Sequence, residues 1–324
     1  MRGHRGWIVL GLLALALLLA AMGVGYRFER DIAAARQRAA QSSTVVATAC
    51  GPIEYQAAGR GLPLLMVHGS GGGHDQGMDF AAALVQHGVR VIAVSRFGYL
   101  RTPLPADASP AAQADAHACL LDALGVPRAA VLGASAGALS AMQLAIRHPD
   151  RVSALVLVVP IAYLPAAADA AAAPSALAER VLLSLIGSDF VYWSALHLAR
   201  DQVIQRVLAT PPDRVAAASP AEQARVNTVL EHILPVSARA AGLRNETRVI
   251  KQLQPYDLAA IRAPTLLISA RDDGYGTYAK ADYTAARIAG AKFIGFEQGG
   301  HLLVGHDDEV RRAVADHLHR HAAR

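Results

Sequence analysis

The residues best suited to chemistry lie in Gly133-Ala134-Ser135-Ala136-Gly137. An apolar run over residues 129–133 precedes the serine, and a helical pattern over residues 136–147 follows it. Small residues on both flanks permit a sharp strand-to-helix turn that lifts the hydroxyl to a helix N-terminus. A serine hydroxyl is a weak nucleophile and needs a base, and that base needs a carboxylate to fix its tautomer. Among thirteen histidines, His301 stands out in Gln298-Gly299-Gly300-His301-Leu302, directly after the last strand pattern. His306 is its nearby alternative. Arg271-Asp272-Asp273 follows the strand pattern of residues 265–270, and Asp273 is preferred over Asp272 as the acid. The predicted catalytic set is therefore Ser135, His301 and Asp273.

A second group is His68-Gly69-Ser70-Gly71-Gly72-Gly73, after the first buried strand pattern. Acyl transfer needs backbone N–H groups aimed at the oxyanion, and glycines let the backbone approach closely. The expected donors are the amides of Ser70 and Ala136, with Gly71 beside the substrate. His68 and His74 are read as shaping this loop. The loop lacks the Gly-Lys-[Ser/Thr] ending of a phosphate-binding loop. No acidic residue closes the next strand, Ala93-Val94-Ser95, so a dinucleotide fingerprint fails too. Two cysteines without CxxC spacing indicate no thiolate zinc site. No cofactor and no metal are expected.

These residues need a frame. Apolar, often β-branched runs at residues 63–68, 89–95, 129–133 and 152–159 alternate with helical patterns at 76–87, 110–124 and 136–147. That rhythm predicts an α/β fold with a mostly parallel sheet and helices on both faces. Short strands at 44–48 and 53–57 precede it. Residues 161–260 offer helices and turns but no strand, with an alanine-rich run at 165–174. The alternation resumes with strands at 264–270 and 291–297 and helices at 277–289 and 309–320. Residues 43–160 and 261–324 thus form one core, interrupted by a helical insertion at 161–260.

The 324 residues are 53% hydrophobic and 18% charged, enough for a large core. The net charge of +5 is scattered, with no basic stripe, which argues against a nucleic-acid partner. Cys50 and Cys119 are expected to be isolated buried thiols, pairing only in an oxidising compartment. Arg2, His4 and Arg5 precede an uncharged run over residues 7–25. As a helix that run spans about 28 Å, close to the hydrocarbon thickness of a bilayer. Basic residues before it favour an N-in anchor with the rest of the chain exported. The alternative is a signal peptide cleaved near Ala21-Met22-Gly23, releasing a secreted protein. Residues 26–42 read as a helical stalk or linker.

From about Ile53 onward the chain resembles the α/β-hydrolase fold family. Besides the serine turn, glycine loop, acid and histidine, Ser95-Arg96-Phe97-Gly98-Tyr99 is similar to the start of the family's D-x-x-G-x-G-x-S loop. Ser95 stands for the Asp, Leu100 for the second Gly and Thr102 for the Ser. Arg147-His148-Pro149-Asp150-Arg151-Val152 is similar to the family's helix-to-strand connection, and Asp272-Asp273 to the end of its H-G-x-x-D segment. The resemblance implies that residues 161–260 form a lid, whose aromatics Tyr163, Tyr192 and Trp193 would line an acyl or alcohol pocket. The apolar residues 181–186 would suit a lipophilic substrate. The implied activity is hydrolysis of an ester or related small acyl substrate. The same triad also serves C–C bond hydrolysis, perhydrolysis and acyl transfer, and a degenerate member would be a tethered binding module.

Overall fold

The computed structural model describes residues 2–165 and 187–322. The apolar run at 181–186 and the alanine-rich run beyond Pro165 lie outside them. Helix α1 (Arg2–Ala40) leads into the hairpin β1 (Thr44–Thr48) and β2 (Gly51–Ala58). The α/β alternation follows as β3 (Leu62–Val67), α2 (His74–Ala81), β4 (Val89–Val94), α3 (Pro110–Ala123), β5 (Ala129–Ala134), α4 (Gly137–Arg147) and β6 (Val152–Val158). It resumes with β7 (Thr265–Ala270), α10 (Thr277–Ala285), β8 (Lys292–Phe296) and α11 (Asp307–His321). The strands form one eight-stranded sheet in the order β1-β2-β4-β3-β5-β6-β7-β8, with only the β1–β2 and β2–β4 pairings antiparallel.

Period-two alternation explains why the central strands are apolar throughout. In β3, Leu65 and Val67 pack with Leu120 of α3 and Met142 of α4. Their neighbours Leu64 and Met66 pack on the opposite face with Ala81 of α2 and Val314 of α11. Both faces are covered, so every residue of such a strand must be apolar.

Between β6 and β7 the described residues are helical: α5 (Asp189–Leu198), α6 (Arg200–Arg206), α7 (Pro212–Ala217), α8 (Pro220–His232) and α9 (Ala240–Lys251). Ser219 caps α8 by accepting from the Glu222 N–H at 3.3 Å, with Pro220 at the first helical position. Tyr192, Trp193, Val226, Val229 and Leu230 give these helices a core of their own.

Three expectations need correction. The helix expected at residues 76–87 is α only to Ala81, then a tighter 3-10 turn (Ala82–His87). That turn buries Leu84 and brings the Gly88 carbonyl to the Leu62 N–H at 3.0 Å. The helix expected at 277–289 ends at Ala285. Cys50 and Cys119 are not buried free thiols but a disulfide with Cα atoms 6.0 Å apart. Cys50 is exposed at the β1–β2 turn, where α3 passes close enough for the pairing.

Helix α1 has two parts. Its apolar part, residues 7–24, is exposed and makes α1 long and apolar enough to cross a membrane. The rest, up to Ala40, packs on the protein. Ile32, Ala35 and Ala39 are buried, and Ile32 and Ala35 join the core of the inserted helices. The spacing 28, 32, 35, 39 puts one face of α1 on that core. Phe28 meets Phe190 and Trp193 edge-on, with centroids 5.2 and 5.7 Å away. Trp193 Nε1 donates to Asp31 at 3.0 Å, and Arg38 donates to the Glu231 carbonyl at 2.9 Å.

Candidate active site

Ser135 occupies the turn between β5 and α4 with φ of 50°. A left-handed conformation costs a residue with a Cβ about 1–3 kcal/mol, so the surroundings must hold it. They do so through the Ser135 N–H, which donates to the Val158 carbonyl at 2.9 Å, and the Ser135 carbonyl, which accepts from Ile161 N–H at 3.0 Å. The flanking glycines have steric reasons. A Cβ at Gly133 would stand 2.7 Å from that of Ala141, and one at Gly137 would overlap the carbonyls of Val67 and His68.

The loop after β8 brings His301 Nε2 to 2.9 Å from Ser135 Oγ. Nδ1 of the same ring lies 2.7 Å from Asp273 Oδ2. A carboxylate only accepts, so the proton sits on Nδ1 and Nε2 is left to accept from the serine. Asp273 is buried and takes further hydrogen bonds from the Tyr275 N–H at 2.8 Å and the Thr277 hydroxyl. Asp272 instead accepts from the amides of Gly299 and Gly300, at 3.1 and 2.8 Å, and so shapes the histidine loop. His306 stacks on Phe296 with ring centroids 3.9 Å apart. Of the alternatives, then, His301 meets Ser135 and Asp273 meets His301, while Asp272 and His306 take other partners.

The glycine loop lies against the nucleophile: a Cβ on Gly69 would be 3.0 Å from that of Ser135. His68 is fully buried, with Nδ1 2.7 Å from the Gly69 carbonyl and Nε2 accepting from the Arg96 N–H at 3.0 Å. Burial first, and the Arg96 charge second, hold its pKa well below the ordinary value, so it is a neutral clasp. His74 is buried at the start of α2, with Nε2 3.0 Å from the Ala39 carbonyl of α1. Among the described residues, the N–H groups of Ser70 and Ala136 have no acceptor within the protein. Ser95, at the family's usual Asp position, donates to the buried Glu54 at 2.9 Å, so the carboxylate comes from β2 instead.

A cavity of about 610 Å³ opens above Ser135 and His301. Ser70 and Gly71 lie on its floor, and Tyr192, Leu208, Val229 and Ile233 of the insertion wall it. Two expected lining residues are elsewhere. Trp193 faces α1, because adjacent helical residues point about 100° apart and Tyr192 takes the cavity side. Tyr163 packs edge-on against Tyr283, centroids 6.3 Å apart, and lines a separate small pocket. Sequence reasoning missed Tyr275, whose ring meets His301 edge-on at 4.9 Å. It also missed Ala209, whose carbonyl accepts from the amides of Gly274 and His301 at 3.0 and 3.3 Å, and Glu246, which contacts Ser70 and Arg96. No motif marks these residues. Among the described residues no group of His, Cys, Asp or Glu is arranged to hold a metal ion.

Comparison with known proteins identifies the fold family. Residues 63–307 match the family described as "alpha/beta hydrolase fold". The chain belongs to that family. It is 29% identical over 252 residues to a protein of Pseudomonas savastanoi pv. phaseolicola named "Putative carbamate hydrolase RutD", covering 74% of this chain and 86% of that one. A 2-hydroxymuconate semialdehyde hydrolase of Pseudomonas putida is 39% identical over 102 residues, 31% of this chain and 36% of the relative. Among solved structures, an α/β-hydrolase fold protein from Nakamurella multipartita superposes with a TM-score of 0.65 at 33% identity, covering 86% of this chain and 99% of that one.

Proposed function

We propose that this protein is a membrane-anchored serine hydrolase that cleaves esters with an apolar chain through an acyl-enzyme. The observation that carries the reading is the unbroken hydrogen-bonded line Ser135–His301–Asp273 at the floor of a large, mainly apolar cavity. His301 Nε2 takes the Ser135 proton as Oγ attacks the carbonyl carbon. The negative charge that develops on the carbonyl oxygen is met by the free amides of Ser70 and Ala136. The protonated His301, steadied by Asp273, then gives its proton to the departing alkoxide. Water attacks the acyl-enzyme by the same route and restores Ser135. Helices α5–α9 serve as the lid, and Val229 and Ile233 hold the chain of the substrate.

The anchored reading rests on α1. The helix that carries the exposed apolar stretch continues without a break into the face docked on the lid. The Cys50–Cys119 bond suits a catalytic domain on the exported side, where disulfides persist.

The test is turnover of p-nitrophenyl esters from acetate to palmitate by the detergent-solubilised full chain. Activity should peak at a chain longer than acetate and drop about 10^4-fold or more in Ser135→Ala. Cleavage of carbamates or of C–C bonds in dienoate substrates, with no ester turnover at any length, would overturn the ester assignment and transfer the triad to the relatives' reactions.

A further inference from the structure

We propose that Glu246 of α9 is a positioning residue for the oxyanion amide of Ser70, so that the helical insertion helps to aim the catalytic machinery and does not merely cover it. The proposal rests on the serine-hydrolase reading above.

The Gly69 carbonyl and the Ser70 N–H belong to the same planar trans amide, so they point in opposite directions. Whatever fixes the carbonyl also aims the N–H. Two donors grip that carbonyl: His68 through Nδ1 at 2.7 Å and Arg96 through Nη2 at 3.0 Å. His68 is held from its other side by the Arg96 backbone N–H, which donates to Nε2 at 3.0 Å. Arg96 is a long side chain, buried, with its guanidinium 5.0 Å from the centre of the Tyr99 ring. Its orientation depends on a carboxylate.

That carboxylate is Glu246. One of its oxygens pairs with Arg96 and accepts from the Tyr99 hydroxyl at 3.2 Å. The other accepts from the Ser70 hydroxyl. Glu246 thus holds the peptide unit at both ends: through Arg96 at the Gly69 carbonyl, and directly at the Ser70 side chain. The group is only 5% exposed and lies 150 residues along the chain from Arg96.

The backbone explains how α9 reaches this point. Gly242 N–H donates to the Gly98 carbonyl at 2.9 Å, and a Cβ on Gly98 would stand 2.6 Å from Gly242 N. Two glycines therefore let α9 lie directly on the loop that carries Arg96. Glu246 follows Gly242 by four residues and shares its helix face. A buried ion pair is a weak source of stability, because desolvation offsets the attraction. It is a strong source of orientation. Pairing with Arg96 also keeps the carboxylate from opposing the oxyanion nearby.

The experiment compares the wild type with Glu246→Gln and Ser70→Ala in ester kinetics, affinity for an alkylboronic acid that mimics the tetrahedral intermediate, and thermal stability. Loss of one oxyanion donor costs about 10²–10³ in kcat, so misaiming it in Glu246→Gln should lower kcat about 10- to 100-fold. KM should stay within about twofold, and boronate affinity should fall by the same factor as kcat. Ser70→Ala, which releases one grip and keeps the amide, should give a smaller loss of the same pattern. Wild-type kcat in a folded Glu246→Gln protein overturns the proposal, as does a kcat loss that leaves boronate affinity intact. If Glu246→Gln does not fold, Ser70→Ala decides: unchanged kcat and boronate affinity overturn the proposal. Failure of the wild type itself to turn over esters would instead strike the ester assignment made above.

Discussion

The α/β core and the helical insertion contribute to the site in different ways. The core carries the groups that would make and break bonds: Ser135 after β5, Asp273 after β7 and His301 after β8. Each stands at the end of a strand buried on both faces or directly beyond the sheet, where the backbone has little freedom. The insertion carries the cavity wall and a set of clasps. Ala209 holds the acid and histidine loops through its carbonyl, Glu246 holds Ser70 and Arg96, and Arg239 holds the glycine loop. The contrast is between chemistry fixed by a sheet and alignment supplied by a separate packed layer, which is itself fastened to α1.

Variants of the core groups should have the largest effect. Ser135→Ala should remove ester turnover, and Asp273→Asn should lower kcat about 10^4-fold by allowing the wrong imidazole tautomer. Steady-state kinetics with unchanged folding by circular dichroism checks both. An Asp273→Asn variant as active as wild type would break the assignment of the acid.

The next effect tests whether the insertion is fastened as tightly as the sheet. Arg239 is fully buried and donates to Asp75 at 2.6 Å and to the Gly72 carbonyl at 2.7 Å. Burial alone would raise the Asp75 pKa, but the Arg239 charge and hydrogen bonds bring it below the ordinary value. A depressed carboxylate stabilises the fold above its unfolded pKa near 4, and that stability is lost as pH falls through the lower folded value. Asp75→Asn should cost about 3–5 kcal/mol at neutral pH by leaving Arg239 unpaired, and the deficit relative to wild type should shrink below about pH 4. Denaturant unfolding across pH measures this.

Smaller effects separate the two layers further. Ile233→Trp fills cavity space from the insertion side and should move the preferred ester to a shorter chain, with activity on acetate kept. A uniform loss at every chain length would place Ile233 outside the chain-binding wall. In the core, His117 is buried neutral with its pKa pushed down to about 3. Unfolding frees it to bind a proton, so its contribution is intact above about pH 6.5 and is lost on acidification toward the folded value, at up to about 1.4 kcal/mol per pH unit. His117→Asn should flatten the acid limb of stability by that slope.

The same division decided what could be read from the sequence. The sheet was legible because burial on both faces writes itself as unbroken apolar runs such as Leu64 to Val67. The Ser, Asp and His positions follow from their places after strands. The sequence prefers Asp273 to Asp272, but their partners are not legible there, since adjacent carboxylates in one turn point to different groups. Tyr192 and Trp193 could not be sorted without knowing that α1 occupies one side of α5. The Glu246–Arg96 contact joins two distant segments with no motif, and the Cys50–Cys119 bond joins residues 69 apart across a strand turn and a helix. Glu54 standing in for the carboxylate at Ser95 is a three-dimensional substitution that linear matching sees only as a departure.

The central claim is that Ser135 is an activated nucleophile. Its most direct test is labelling of the folded full-length protein with a fluorophosphonate, followed by peptide mass mapping. One phosphonyl adduct on the Ser135 peptide, absent in Ser135→Ala and greatly slowed in His301→Ala, is the predicted result. No adduct on the native protein, or equal labelling of Ser135→Ala, would contradict the account.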